Sequence, residues 1–474
     1  MTADAVQQAL HNLRQRDLPS PAPRALTGVY DSGLPEADAL GRSVIASFAA
    51  TNGLDPAGYP SWPRMEKDLV LLAARLLDGP AGVVGTATAG GTESIFLAVQ
   101  AARDSRPDLD RPQLVLPSSA HAAFSQAARY LRVEPVFVDV DPVSCRADAV
   151  AMGRAITDQT VLVVASAPSF AHGVVDPVTE IAAAAAARGV RCHVDANLGG
   201  WLLPYLRRRR PELPAFSFAV PGVTSISVDL HAYAYTPKTL GLLLHRDAEL
   251  RRPQFFATAA GPAFPTVAST FHGTRSGGPL AAAWAVTRFI GDHGYLRLAD
   301  TVRTGVEALL DGLAAVPALR VLAEPDASVV AVAGDEGCDV FTLSDEMSGR
   351  GWRAQPQLSW GGFPATLHLV LSAATAPRVP ELLDALRASV KAARAAGAPR
   401  LAPEVVTAVR TIDLRRFDDD AFDALVESAG LEAGGSMAVA GRLAPAYALL
   451  DAATPAVRQV LLTAFADRQS QPRR

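Results

Sequence analysis

From about residue 63 to residue 305 the chain alternates short apolar runs with helical stretches, and this rhythm limits its fold more than any other feature. Leu114–Leu116, Val136–Val140, Val161–Ala165, Val190–Val194, Ser225–Val228 and Gly241–Leu244 are predicted as strands. Between or before them, Pro63–Leu77 repeats Met65, Leu69, Leu72 and Leu76 at helical spacing, and Glu93–Arg103 opens a helix after a Gly-Gly turn. Ile181–Arg188 reads as an Ala-rich helix stopped by Gly189. Short buried strands separated by helices predict an α/β class, with a mostly parallel sheet covered on both faces.

Beyond residue 305 the pattern changes. Helices are expected at Val306–Leu313, Phe341–Arg350 and Pro380–Ala396, with strands at Val329–Val332 and Leu367–Leu371. This predicts three parts: a Pro- and Gly-punctuated N-terminal arm (1–60), a large domain (61–305) and a small C-terminal α+β domain (306–474). Such an arm suits a segment that wraps a neighbour or lies across a site.

Charge and composition exclude some functions. A net charge of -4 gives no argument for nucleic acid or an anionic membrane. The Arg207–Arg210 run reads as a solvated loop or helix end. No apolar run reaches about 18 residues, so no membrane span is expected. Three cysteines, far apart and without a paired spacing, argue against disulfides and zinc and fit a reducing cytoplasm. The 44 basic residues include only three lysines, Lys67, Lys238 and Lys391, so each can be examined for chemistry.

Three segments carry chemical signals. Thr88-Ala89-Gly90-Gly91-Thr92-Glu93-Ser94 places two glycines at a helix start, where exposed N–H groups suit a phosphate; a plain capped turn fits too. Cys192-His193-Val194-Asp195-Ala196 puts a carboxylate at a strand's C-terminal end, where ligands of open α/β sheets bind; it could also be a helix cap. Ser225 to Lys238 runs from a strand into a polar, aromatic segment ending in a rare lysine, which taken alone reads first as an ordinary loop with a solvated lysine.

Together these segments resemble the pyridoxal phosphate (PLP)-dependent group II decarboxylases and lyases, above all the sphingosine-phosphate lyase family. Thr88–Ser94 matches that family's phosphate turn, and His121-Ala122-Ala123-Phe124 its ring-stacking histidine. Ser166 to Val178, including His172, Gly173, Asp176 and Pro177, matches a further motif, as do His193 to Gly200 and Gly273 to Gly278. Asn52 to Glu66 echoes an upstream stretch, with Asp55 where the family has histidine. The likeness runs from about residue 28 to the 437–447 region.

The resemblance implies fold type I of the PLP-dependent transferases, PLP as cofactor, and a small-molecule primary amine as substrate. It implies a phosphate seat at Gly91 and Thr92, a ring stacker at His121 and a pyridine-nitrogen partner at Asp195. His231 falls beside the Schiff-base lysine, near the phosphate, and Ser166 approaches the phenolic oxygen. Thr274 stands where the family reaches the phosphate from the partner subunit, which implies a homodimer with shared sites.

One departure is central. The family pattern DxHKYGYAPKG reads here from Asp229 to Thr239, with Ala232 at the Schiff-base lysine position. Three accounts fit: a lysine removed by engineering, a natural route without it, or lost catalysis with a binding or regulatory role. On the second account Lys238 supplies an amine or a proton, a substrate amine condenses directly with free PLP, or pyridoxamine phosphate is bound. Tyr235 and Lys238 are the candidate bases for carbon–carbon cleavage; decarboxylation is the alternative. Ala234 and Thr239 replace family glycines, and Asn197 replaces a cysteine.

Overall fold

A computed structural model describes residues 1–19, 22–260, 265–412, 417–429 and 442–472; Met437, at the far end of the expected likeness, lies outside them. Seven strands form the main sheet: β1 (Val84–Thr88), β2 (Gln113–Pro117), β3 (Glu134–Val138), β4 (Thr160–Ser166), β5 (Arg191–Asp195), β6 (Val223–Asp229) and β7 (Gly241–His245). Their order across the sheet is β1-β7-β6-β5-β4-β2-β3. Only β7 runs against the others, pairing antiparallel with both β1 and β6. The remaining pairs are parallel, so the mostly parallel α/β sheet of fold type I is present.

Burial explains the rhythm of the sequence. All seven residues of β4 are buried, because helices cover both faces of the sheet. Each fully buried Val or Leu there contributes about 1.5–3 kcal/mol. A buried histidine interrupts the apolar pattern on β5 but is fully partnered. His193 Nδ1 and Nε2 lie 2.9 and 3.2 Å from the Ser225 and Ser227 hydroxyls of β6, and burial pushes the ring down to about 3.

The parallel arrangement has one consequence for position. Thr88, Ser166, Asp195 and Asp229 are the last residues of β1, β4, β5 and β6, and these four strands point the same way. They therefore share one edge of the sheet, where residues of open α/β sheets gather around ligands.

A helix spanning Gly277–Ala314, kinked at Gly291, crosses the expected 305/306 division. The Arg207–Arg210 run, expected as a solvated loop or helix end, lies at the end of the helix Leu203–Arg207 and is clamped to the long helix. Arg208 makes two 2.8 Å bonds to Asp292, and Arg209 pairs with Asp300. A separate four-stranded antiparallel sheet follows, built from Leu319–Val321, Val329–Gly334, Gln355–Gln357 and Thr366–Val370. Helices Pro403–Thr411, Asp419–Ser428, Ala444–Ala452 and Pro455–Ser470 close a further core around Val409, Phe422, Leu449 and Phe465.

The segment after β4 docks the small sheet on the large one. Gly173 has φ 77°, and a Cβ there would sit 2.2 Å from the Val329 carbonyl oxygen, so only glycine fits. His172 packs against Trp360 and Phe363, with ring centroids 5.9 and 5.1 Å away. Asp326 accepts from the Val175 N–H at 2.7 Å and pairs with Arg146 at 2.6 Å. Part of the 166–178 motif is thus a hinge of packing rather than a site. Among the described residues no helix is long and apolar enough to cross a membrane, and no three metal-binding side chains cluster. The three cysteines are free and buried.

Candidate active site

At the shared strand edge lies a cavity of about 340 Å³. Of the sequence-predicted residues, Gly91, Thr92, His121, Ser166, Asp195, His231, Ala232 and Lys238 all line it. Gly28, Tyr30, Phe170, Asn197 and Asp229 also line it.

The cradle at one end is built by the turn after β1. The helix Gly91–Asp104 begins here, and its first N–H groups have no side-chain cap. Gly90 has φ 128°, and a Cβ on Gly91 would sit 2.7 Å from the Asn197 side chain, so a larger residue would close the turn. Thr88 and Ser94 hydroxyls meet at 2.7 Å behind it. Glu93 accepts from the Ala89 N–H at 2.6 Å, and its other oxygen accepts from Phe271 N–H at 3.1 Å. These bonds tie the cradle to the 271–272 turn.

At the other end Asp195 sits nearly buried at the tip of β5, accepting one N–H from Asn197 at 3.1 Å. Burial raises its carboxyl and the nearby His121 pulls it back. A buried carboxylate without a paired cation is costly, and a basic nitrogen entering the cavity would relieve it. His121 opens the helix Ala122–Leu131, its Nδ1 accepting the Ala123 N–H at 3.2 Å, and its ring stands edge-on to Phe170 at 6.1 Å. Ser166 is held from behind by Asp176, which accepts the Ser166 N–H at 2.7 Å and the Ala147 N–H at 2.9 Å. Burial lifts Asp176 to about 6.

The segment after β6 supplies the third wall. Ala232 is buried and leaves a methyl where the resemblance implies an amine. Lys238 Nζ donates to the Gly28 carbonyl at 2.9 Å and lies 5.0 Å from the Tyr30 ring. Desolvation lowers this amine, and Asp229 opposes the shift. Lys67 and Lys391 are exposed on other helices, so Lys238 is the one lysine at the cavity.

One expected residue is not brought in, and Thr274, expected to serve the other copy's site, stands apart. Tyr235 does not line this cavity; its ring turns to Tyr233, 5.8 Å away, because residue 235 takes φ 53°. Burial drives its hydroxyl well above the ordinary phenol range, which unfits it as a base. Thr274 lies in an adjoining cavity of about 150 Å³ with Glu93, His272 and Arg275, and is exposed. Sequence reasoning missed Gly28, Tyr30 and Phe170, which only tertiary structure brings here. Asp229 stood next to the predicted His231, and its strand-end position was the available signal.

These features fit the cofactor that the resemblance implies. The cradle suits an anionic arm, Asp195 a basic ring nitrogen, and Asp229 Oδ1 and Asn197 Oδ1 are buried without partners among the described residues. The volume falls within the roughly 300–1,000 Å³ usual for ligand cavities.

Comparison with known proteins agrees. The pyridoxal-dependent decarboxylase conserved domain matches residues 30–331, and the C-terminal HTH domain described for pyridoxal-dependent enzymes matches 403–468. The sphingosine-1-phosphate lyase of Dictyostelium discoideum is 37% identical over 345 residues, which are 73% of this chain and 64% of that protein. That of Arabidopsis thaliana is 35% identical over 74% of this chain and 65% of the relative. The chain thus spans less than two thirds of the length of these relatives. The solved sphingosine-1-phosphate lyase of Burkholderia pseudomallei superposes with a TM-score of 0.78 at 32% identity, covering 84% of this chain and 92% of that one. Lactobacillus brevis glutamate decarboxylase, at 18% identity and a TM-score of 0.73, shares the fold.

Proposed function

The chain belongs to the pyridoxal-dependent decarboxylase family, and on that premise we propose that it cleaves a bond at the amine-bearing carbon of a small primary amine. The bond is carbon–carbon, as in the lyases it resembles, or carbon–carboxyl. One observation carries this reading: the cradle, His121, Asp195 and a lysine amine all face one cavity. When bound, PLP supplies a carbonyl that condenses with amines and a ring that draws electrons from the adjoining carbon.

The chain's own residues have separable tasks in this reading. The N–H groups at Gly91 and Thr92 hold the phosphate, helped by the positive end of their helix. Asp195 keeps a proton on the ring nitrogen, since only a cation there offsets its burial. His121 covers the ring face, and Ser166 orients the ring by its phenolic oxygen. Lys238 takes or delivers a proton at the substrate, and its lowered affinity for protons makes it a better base near neutral pH. A homodimer would bring Thr274 of one copy toward the phosphate of the other. Sphingosine phosphate, named in the relatives, is one candidate among phosphorylated or plain amines.

Ala232 favours a second reading, in which the protein holds the cofactor without turnover. Borohydride reduction of the PLP-loaded protein, with peptide mass mapping, separates the two. A pyridoxyl mass on Lys238 is the expected result and identifies an amine able to serve as tether. PLP retained with no modified lysine would discard that role for Lys238. It would leave direct condensation with substrate or a non-catalytic protein, which an amine-dependent absorbance change then tells apart.

A further inference from the structure

We propose that the C-terminal helical unit holds one wall of the cavity in place. It clamps a loop at Ser359, and through Trp360 and Phe363 that loop fixes the 166–178 segment, which carries Phe170. The region matched by the HTH domain thus has a positioning role, turned toward its own chain and not toward nucleic acid. Only the last step, to the cofactor, rests on the PLP reading above.

Charge gives the first argument. Between residues 403 and 468 the sequence has ten acidic side chains against six arginines, and no lysine. Nucleic-acid binding draws on cationic side chains that meet phosphates. The four described arginines of the unit already hold acceptors of this chain. Arg410 donates to the Ala452 carbonyl at 3.4 Å, Arg442 to Glu346 at 3.1 Å, and Arg468 pairs with Asp419 and Asp423. Arg458 is engaged by backbone carbonyls, one of them outside the unit, at Ser359.

The helix Ala444–Ala452 carries the docking. At its start Asp345 of the small domain accepts the Leu443 and Ala444 N–H groups at 2.9 and 3.0 Å. Midway, Tyr447 stacks on Phe341 with centroids 5.7 Å apart. Near its end Asp451 accepts both the N–H and the hydroxyl of Ser359, at 2.7 and 2.8 Å. Arg458, on the next helix, donates to the Ser359 carbonyl at 2.8 Å. It also takes the carbonyls of Leu450, Asp451 and Ala453, which the helix end leaves without intrahelical partners. Ser359 is therefore held at its N–H, its hydroxyl and its carbonyl, each time by a charged partner, the stronger kind of hydrogen bond. Its neighbour Leu358 packs against the unit's core.

Ser359 belongs to the connection between the strands Gln355–Gln357 and Thr366–Val370. In the same connection Trp360 and Phe363 pack on His172. From the second strand His368 Nε2 donates to the Phe170 carbonyl at 2.7 Å, and the two rings lie 4.5 Å apart. Phe170 lines the cavity and stands edge-on to His121, the residue that covers the ring face in the proposed reading. A shift at Ser359 thus reaches the ring stacker through packed side chains, although no described residue of the unit lines the cavity itself.

The test is amide hydrogen exchange of the full chain, read by mass spectrometry over the 166–178 segment, with PLP affinity measured by dialysis beside it. Asp451→Ala should speed exchange in that segment about tenfold, as the loss of charged hydrogen bonds implies. Ser359→Ala removes only the hydroxyl contact and is the milder variant; it should give the same pattern at about threefold. Unchanged exchange in both variants overturns the clamp. In a Trp360→Ala background, where the stack on His172 is already gone, Asp451→Ala should add little; effects that multiply would show that the clamp does not act through that stack. PLP affinity should fall about threefold in Asp451→Ala, and unaltered affinity beside faster exchange would refute the positioning of the site. Wild-type protein that retains no PLP overturns the cofactor reading instead, and the clamp is then judged on exchange alone. Mixed-sequence double-stranded DNA should leave exchange over 403–468 unchanged; protection there would overturn the inward role.

Discussion

The two walls of the cavity are built to different standards. In the turn from Thr88 to Ser94 the positive φ falls on Gly90, hydroxyls pair, and Glu93 collects N–H groups from two turns. In the segment from Asp229 to Thr239 positive φ falls on Tyr235 and on β-branched Thr239, at 53° and 71°. Asp229 Oδ1 and the Tyr235 hydroxyl are buried without partners among the described residues, and the implied amine position is an alanine. The first wall is relaxed and satisfied; the second stores strain, at about 1–3 kcal/mol for each such backbone position. On the proposed reading, the seat of the cofactor and the segment of its tether are separate constructions, and only the second departs from the pattern that the chain resembles.

Three substitutions probe that contrast. Asp195→Ala should have the largest effect, because it removes the carboxylate that pairs the ring nitrogen in the proposed reading. PLP affinity by dialysis should fall on the order of 100-fold, from about 3 kcal/mol for an unpaired buried charge. A loss below threefold would mean that the seat is not what retains the cofactor. Next, Ala232→Lys should restore a covalent anchor if only the tether is missing. Dissociation of PLP should slow about tenfold or more, the gain of a strong additional bond in the site, and the borohydride-stable mass should move to residue 232. Should the mass stay on Lys238 or vanish, the second wall has been reshaped as well as stripped. Smallest is Thr239→Gly, which removes a β-branched residue from a left-handed conformation. It should raise stability by about 1 kcal/mol, or roughly 1 °C in melting temperature for a chain of this length, whereas Gly90→Ala in the relaxed wall should lower it.

The same contrast explains what was legible in the amino-acid sequence. Gly90-Gly91 and Asp195 could be read because backbone freedom and strand-end position leave local signatures. Strands β4 and β7 could be read because burial along their whole length makes them largely apolar. The strand Val84–Thr88 carries small and hydroxylated residues and gave no such signal. Tyr235 was misplaced because its direction depends on a single backbone angle that no residue type announces. Gly28, Tyr30 and Phe170 reach the cavity through contacts remote in sequence. The four terminal helices form a core of their own that periodicity before residue 397 does not foretell.

Lys238 and Gly28, joined by one hydrogen bond, stand 210 positions apart in the chain. During synthesis the arm leaves the ribosome first and waits about 10–40 s for its partner at ordinary elongation rates. The strand that carries the cradle, β1, joins the sheet only through β7, which follows Lys238 in the chain. The arm, the cradle and the amine are therefore brought together in one late event, after Lys238 itself has been made.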